Sequence, residues 1–365
     1  MKKPHLIKEI FWLRCFACLA VTLLHAIHHG QQVYIDTTKI HTVSYLLYIS
    51  VLFGVPVFVY ITEFLLSKNY PHKVPDEFFR KRLKVLLLPY LFMNTVYAFI
   101  NLETWVIQDF IIRLSQNVFL GLSSIYFILI IFQFYILHIL FSKYLNQISA
   151  KVVLPIAFLI NFLYLSIFNF VEPPKNYLTD YIWNTGYWLP FIGWIFYFVL
   201  GYYSAKNYKT ILNIMQSKRV TLFIGLLLFT IISLIVLLLM NRHFLLDYNS
   251  KRVGMLLYAT SIIALITYLS TCFKKVPKIV TIISNYSFTI FLMNWFYLTL
   301  LSYIQPPAFL NILSYSILMF IVTILLCIAT GYIFNQIKFG KYLVGQVRTY
   351  RNDNNIRKEK IGRVI

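Results

Sequence analysis

Apolar runs long enough to cross a bilayer recur along the whole chain, at about 10–30, 43–67, 84–101, 118–142, 152–170, 188–205, 220–240, 253–273, 279–303 and 309–337. Roughly 20 such residues suffice for a helix to span the hydrocarbon layer. The runs are continuous and do not alternate with polar residues, which predicts helices and excludes barrel strands. The predicted fold class is therefore an all-α polytopic transmembrane bundle of about ten helices. The largest intervening pieces are 68–84, 102–117 and 171–187, none long enough for a second folded domain. The expected division is a membrane domain over 1–337 and a basic tail over 338–365. There is no internal repeat and no glycine-rich phosphate loop, so a primary pump or nucleotidase is not indicated. The first run has the length of a full span with no small-residue cleavage site after it, and is expected to stay as helix 1.

Composition agrees: 59% of the 365 residues are apolar and only 12% are charged. The charge that is present is lopsided, with a formal net charge of +21. An N-terminus placed in the cytoplasm puts all but six of the 33 Lys and Arg on that side, the exceptions being Lys39, Arg113, Lys175, Arg242, Lys251 and Arg252. Such asymmetry orients a cell-membrane protein with both ends inside. The basic balance thus speaks of topology and of contact with anionic membrane lipid, and nucleic acid is not an expected partner. Asp353 and Glu359 only partly offset the tail's cations, so the tail is expected on the inner leaflet. The four cysteines fall in or beside predicted spans, and no disulfide framework is expected.

Ionisable groups inside the spans break the pattern, and such groups usually mark function. LRCFACLAVTLLHAIHHG, residues 13–30, carries Arg14, His25, His28 and His29. At about 100° per residue, the eleven steps from Arg14 to His25 leave an offset of only about 20°, so the two share a face. Cys18 and Thr22 lie near the same stripe. Arg14 sits close enough to the inner end to snorkel, and His28 and His29 sit at the outer rim, where polar residues are ordinary. No carboxylate accompanies the three histidines on this helix, and a metal site is not predicted. PVFVYITEFLLSK, residues 56–68, brings Glu63 to the depth of Arg14, and the first expectation for the two is a structural ion pair. FFRKRLKVLLLPYL, residues 78–91, crowds Arg80, Arg82 and Lys84 at the inner mouth of a span. That is either a positive-inside anchor or a cradle for a cytosolic polyanion, because guanidinium groups bind phosphate through paired hydrogen bonds.

Three stretches together resemble the acyltransferase 3 family of integral membrane proteins: the Arg14 to His25 spacing, the segment Arg82-x-Lys84 followed by Pro89-Tyr90, and FIGWIFYFVLGYY at 191–203. Within it the chain looks most like the branch associated with poly-N-acetylglucosamine export or O-succinylation. The resemblance implies transfer of an acyl group, acetyl or succinyl, from cytoplasmic acyl-CoA to a hydroxyl of a surface polysaccharide or glycolipid. It implies that His25 deprotonates the acceptor, that Arg14 matches the family's helix 1 arginine, and that Arg80, Arg82 and Lys84 bind the donor. Tyr126, with Phe127, resembles the family's aromatic segment in the fourth span and is grouped with the donor residues. Two stretches depart from the family: Thr62 and Glu63 stand where many members have Ser-Gly, and Asn294 stands where many have histidine. Asparagine can still donate and accept hydrogen bonds but does not take a proton at neutral pH, which argues against a mechanism with a second histidine; the candidate catalytic set is His25, Arg14, Glu63 and Asn294. The rival expectation is an exporter or flippase of a surface polysaccharide, since sugars stack on the aromatic side chains in which the spans are rich.

Overall fold

The computed structural model describes residues 7–34, 42–71, 73–174, 176–217, 219–244, 249–307 and 309–347. Lys2, Lys3, Lys39, Lys175 and the tail from 348 onward, on which part of the charge reading rests, lie outside the described residues, as does the side chain of Arg242. The helices, in chain order, are α1 (Lys8–Val33), α2 (Thr42–Ser50), α3 (Gly54–Asn69), α4 (Phe78–Arg82), α5 (Leu88–Ile100), α6 (Ile107–Phe119), α7 (Phe127–Gln147) and α8 (Ala150–Phe170). They continue as α9 (Tyr177–Asn184), α10 (Ile195–Lys206), α11 (Tyr208–Ser217), α12 (Arg219–Phe244), α13 (Met255–Cys272), α14 (Lys278–Ser302) and α15 (Ile312–Gln336). Among the described residues, nine helical stretches are long and apolar enough to cross a membrane. The protein is an all-α multi-pass bundle.

The sixth run, 188–205, is realised differently. A 3₁₀ turn at Phe191–Trp194 feeds α10, which has only 12 residues and so rises about 18 Å. Lipid offers no hydrogen bonds, so a short span survives only where protein surrounds it. α3 and α8 flank it, and the hydroxyls of Tyr197, Tyr202 and Tyr203 donate to the carbonyls of Met255, Ser142 and Leu145, each at 3.0 Å. Gly201 permits the contact with α3: a Cβ there would stand 2.7 Å from the Tyr60 carbonyl oxygen. Gly201→Leu should therefore force the helices apart, cost about 1–3 kcal/mol or more, and lower thermal stability in detergent. Gly225→Leu is the control, because nothing lies within 4 Å of a Cβ at that site on α12.

Other runs are also shaped by local chemistry. The second is broken at residues 51–53 into α2 and α3. The third carries a π-helical turn over Leu83–Leu87 just before Pro89, where proline supplies no N–H and crowds the preceding turn. The fourth starts nine residues later than its apolar run, since 118–126 belongs to the end of α6 and a turn. α6 was expected to be loop; its apolar side chains Ile107, Ile111 and Ile112 are exposed, which suits a helix lying at the interface. Of the expected tail, 338–347 packs on the bundle: Val344 is buried, and Asn335 holds the segment through the Gly345 carbonyl and the Val347 N–H.

α1 is the central helix, touching α3, α13, α14 and α15. Its pairing with α14 fixes the site. Cys18 Sγ lies 3.8 Å from the Ser287 carbonyl, and His25 meets Asn294. Both contacts have the same sequence separation and lie seven residues apart on each helix, so α1 and α14 run parallel, in register over two turns.

Candidate active site

Two clusters sit on α1 and its neighbours, one toward each end of the bundle. At the outer end a cavity of about 480 Å³ is lined by His25, His28, Tyr126, Trp188, Lys251 and Trp295, among others. His25 Nδ1 lies 2.7 Å from Asn294 Oδ1. The Asn294 amide is oriented by its own Nδ2, which donates to the Phe291 carbonyl at 3.2 Å. Its oxygen must then accept from His25, so Nδ1 carries the proton and Nε2 keeps a lone pair. The Trp295 ring stands edge-on to His25, with centroids 5.0 Å apart, and limits the tilt of the imidazole. His28 lines the same cavity. His29 is buried and packs on Trp295 at 4.6 Å, more enclosed than its rim position suggested.

Phe127 and Phe291 line the inner side of the cavity, and Phe58 on α3 backs both, with ring centroids 6.2 and 6.3 Å away. Phe58 lies between the cavity and Glu63, which is five residues further along α3 toward the cytoplasm.

At the inner end the expected Arg14–Glu63 ion pair is not formed, although α1 and α3 are neighbours. Glu63 is fully buried, and its Oε1 takes His138 Nδ1 at 2.7 Å and the Ser67 hydroxyl at 2.7 Å. His138 comes from α7 and was not among the candidates legible in the sequence. An ionisable residue within YILHILF was the available signal. His138 Nε2 lies 3.1 Å from the Tyr70 carbonyl, which only accepts, so Nε2 is protonated. Whichever of Nδ1 and Glu63 holds the second proton, the pair is neutral overall, which is the arrangement a buried site tolerates.

Arg82 is the half-buried member of the basic segment, while Arg80 and Lys84 are exposed. Its guanidinium carbon stands 5.2 Å from the Phe78 ring centroid and 5.8 Å from that of Tyr135. Arg14 and Arg82 both act electrostatically on Tyr135, so the structure gathers these two cations around one α7 side chain. Arg14 lies about 16 Å along α1 from His25. Tyr126, grouped above with the donor residues, belongs instead to the outer cavity, beside Trp188 at 5.9 Å. Lys251, counted in the sequence only as an outer charge, lines that cavity too.

The membrane bundle thus carries an aromatic-lined cavity with His25 on its wall toward one end and the basic residues Arg80, Arg82 and Lys84 toward the other. Comparison with known proteins gives the class: the acyltransferase domain of the acyltransferase 3 family matches residues 7–332. The chain is 36% identical over 352 residues to the Bacillus subtilis protein named "Putative membrane-bound acyltransferase YfiQ", covering 93% of this chain and 95% of that one. It is 26% identical over 357 residues to the "Probable poly-beta-1,6-N-acetyl-D-glucosamine export protein" of Staphylococcus aureus strain Mu50, covering 95% and 97%. The Staphylococcus epidermidis protein of the same name is 25% identical over 360 residues. No solved structure matches. The chain belongs to the acyltransferase 3 family.

Proposed function

We propose that the protein is a membrane O-acyltransferase that takes an acetyl or succinyl group from cytoplasmic acyl-CoA and places it on a hydroxyl of an extracytoplasmic polysaccharide or glycolipid. The observation that carries this reading is the His25–Asn294 contact inside an aromatic-lined cavity, on a chain whose family is one of acyltransferases. The free Nε2 of His25 takes the proton of the acceptor hydroxyl as its oxygen attacks the thioester carbonyl. The new C–O bond forms, the C–S bond breaks, and the proton passes from His25 to the departing thiolate. Asn294 Oδ1, accepting from Nδ1–H, steadies the imidazolium in between. Tyr48, Tyr97, Trp188 and Trp295 line the cavity, and aromatic side chains suit a sugar.

Acyl-CoA is the donor substrate in this reading, and Arg82 with Arg80 and Lys84 would hold its phosphates. Glu63 touches neither reactant in this reading. It ties α3 to α7 through His138 and so positions the helix that carries Tyr135. The names of the staphylococcal relatives favour a second reading, polysaccharide export, in which the aromatic cavity would hold glycan in transit.

The test is transfer of labelled acyl groups from acyl-CoA to β-1,6-linked N-acetylglucosamine oligomers by the purified protein, together with mass spectrometry of surface polysaccharide from cells with and without it. An acyl mass that depends on the protein supports transfer; a change in polysaccharide amount with no acyl mass supports export. Arg82→Ala should weaken acyl-CoA binding about 10-fold or more by removing charge-assisted contacts. Arg82→Lys should restore little, because lysine lacks the planar fork that lies near Phe78 and Tyr135. Wild-type acyl-CoA affinity in both variants would remove the donor site from this segment.

A further inference from the structure

The outer cavity holds a cation that the chemistry above does not use. Lys251 stands in the connection between α12 and α13, and its backbone is gripped on both sides by Asn169, itself only 4% exposed at the end of α8. Asn169 Nδ2 donates to the Lys251 carbonyl at 3.4 Å, and its Oδ1 accepts from the Val253 N–H at 3.1 Å. Asn249 Oδ1 accepts from the Lys251 N–H at 2.9 Å. The side chain is thereby delivered into the cavity, where Nζ lies 3.7 Å from the Trp188 ring centroid and 4.9 Å from that of Tyr126.

Two aromatic faces hold a cation through their quadrupoles, but they leave its strong N–H donors without oxygen acceptors. Among the described residues Nζ meets neither a carboxylate nor a hydrogen-bond acceptor. The buried Trp188 Nε1, on the ring that carries the ammonium, is likewise a donor without an acceptor. No Asp or Glu is among the described residues lining the cavity. Burial and the neighbouring Arg252 push Lys251 down to about 7, so the charged form gains most from an arriving anion.

We propose that Lys251 is the binding site for an oxyanion, a carboxylate or a phosphate, carried by one of the two reactants that meet in this cavity. The inference rests on the acyl-transfer reading and assigns the site its charge selectivity. A reactant without such a group leaves the ammonium with only ring faces, whereas one that presents it gains a charge-assisted hydrogen bond. The oxyanion is either the distal carboxylate of the acyl group or an acidic substituent of the acceptor. His25 remains the group that moves the proton, and Lys251 decides which reactant is held long enough for that to happen.

The test pairs each reactant with a neutral counterpart. Purified full-length protein is assayed with succinyl-CoA against acetyl-CoA on a neutral N-acetylglucosamine oligomer, and with acetyl-CoA on a phosphate-bearing oligomer against the neutral one. Lys251→Met should raise the KM of the anion-bearing reactant about 10- to 100-fold while leaving turnover of the neutral pair within about twofold. Lys251→Arg should keep the preference. The pair that responds identifies the source of the oxyanion. An equal loss on every pair, or no loss on any, overturns the proposal.

If the wild type transfers no acyl group at all, tryptophan fluorescence separates the two ideas. Saturable quenching by succinate or inorganic phosphate, lost in Lys251→Met and kept in Lys251→Arg, would retain the anion site while removing the acyl-transfer reading. Absence of such quenching would remove the site as well.

Discussion

Replacing His25 by alanine should lower acyl transfer about 100- to 10,000-fold, the range that a positioned general base contributes. Membrane abundance and acyl-CoA binding should be unchanged. The imidazole is half-buried at a cavity wall, it bonds to Asn294 through Nδ1, and its removal strands no charge. Asn294→Leu should act on the same step more mildly, losing about 10- to 100-fold. It leaves His25 in place but takes away the oxygen that fixes the tautomer, and a small misplacement of a reacting group costs that much. The measurement is transfer of labelled acyl groups beside the amount of folded protein. Full transfer by His25→Ala would end the catalytic reading and leave export as the better account. His28→Ala, at the cavity wall but without a bond to Asn294, should be mild.

The second large effect concerns folding. His138→Leu should destabilise the bundle by about 3–5 kcal/mol, because it removes the partner of a fully buried carboxylic group and leaves Glu63 with Ser67 alone, the situation in which breaking a buried pair is most costly. Protein level and thermal unfolding in detergent report it. Glu63→Gln combined with His138→Leu should recover much of the loss, since the amide carries no charge to bury. Glu63→Gln combined with Arg14→Ala should give no comparable recovery, because Glu63 bonds to α7 and not to Arg14. If the Arg14 combination is the one that rescues, the Glu63–His138 assignment is wrong.

These two expectations show where sequence reasoning reached and where it stopped. Helix 1 was read correctly as one continuous span whose Arg14 to His25 spacing puts both on one face, since a 3.6-residue repeat is a property of the chain alone. The partner of Glu63 was not legible in that way. Depth along a helix limits the candidates to residues near one level, and Arg14 qualified, but so did His138, and only the rotation of α3 and α7 about their axes decides which side chain meets the carboxylate. The same holds for Asn294, which the sequence offered only as a hydrogen-bonding residue where many family members have histidine. The parallel register of α1 and α14, seen in the paired contacts at Cys18–Ser287 and His25–Asn294, gives it an imidazole to orient.

The sequence by itself determined the membrane class, the helical fold and most spans, because bilayer thickness and the lack of hydrogen-bond partners in lipid act on each segment separately. It also carried the family resemblance that the acyltransferase domain match over residues 7–332 bears out. Only the tertiary structure decided that the run at 188–205 crosses as a short α10, since its stability comes from α3 and α8 and not from its own length. It alone placed Tyr126 in the outer cavity, and it turned Lys251 from one more outer charge into a cation held on Trp188. Those facts depend on which helices touch and at what rotation, and residues distant in the chain acquire a common site only when packing brings them to it.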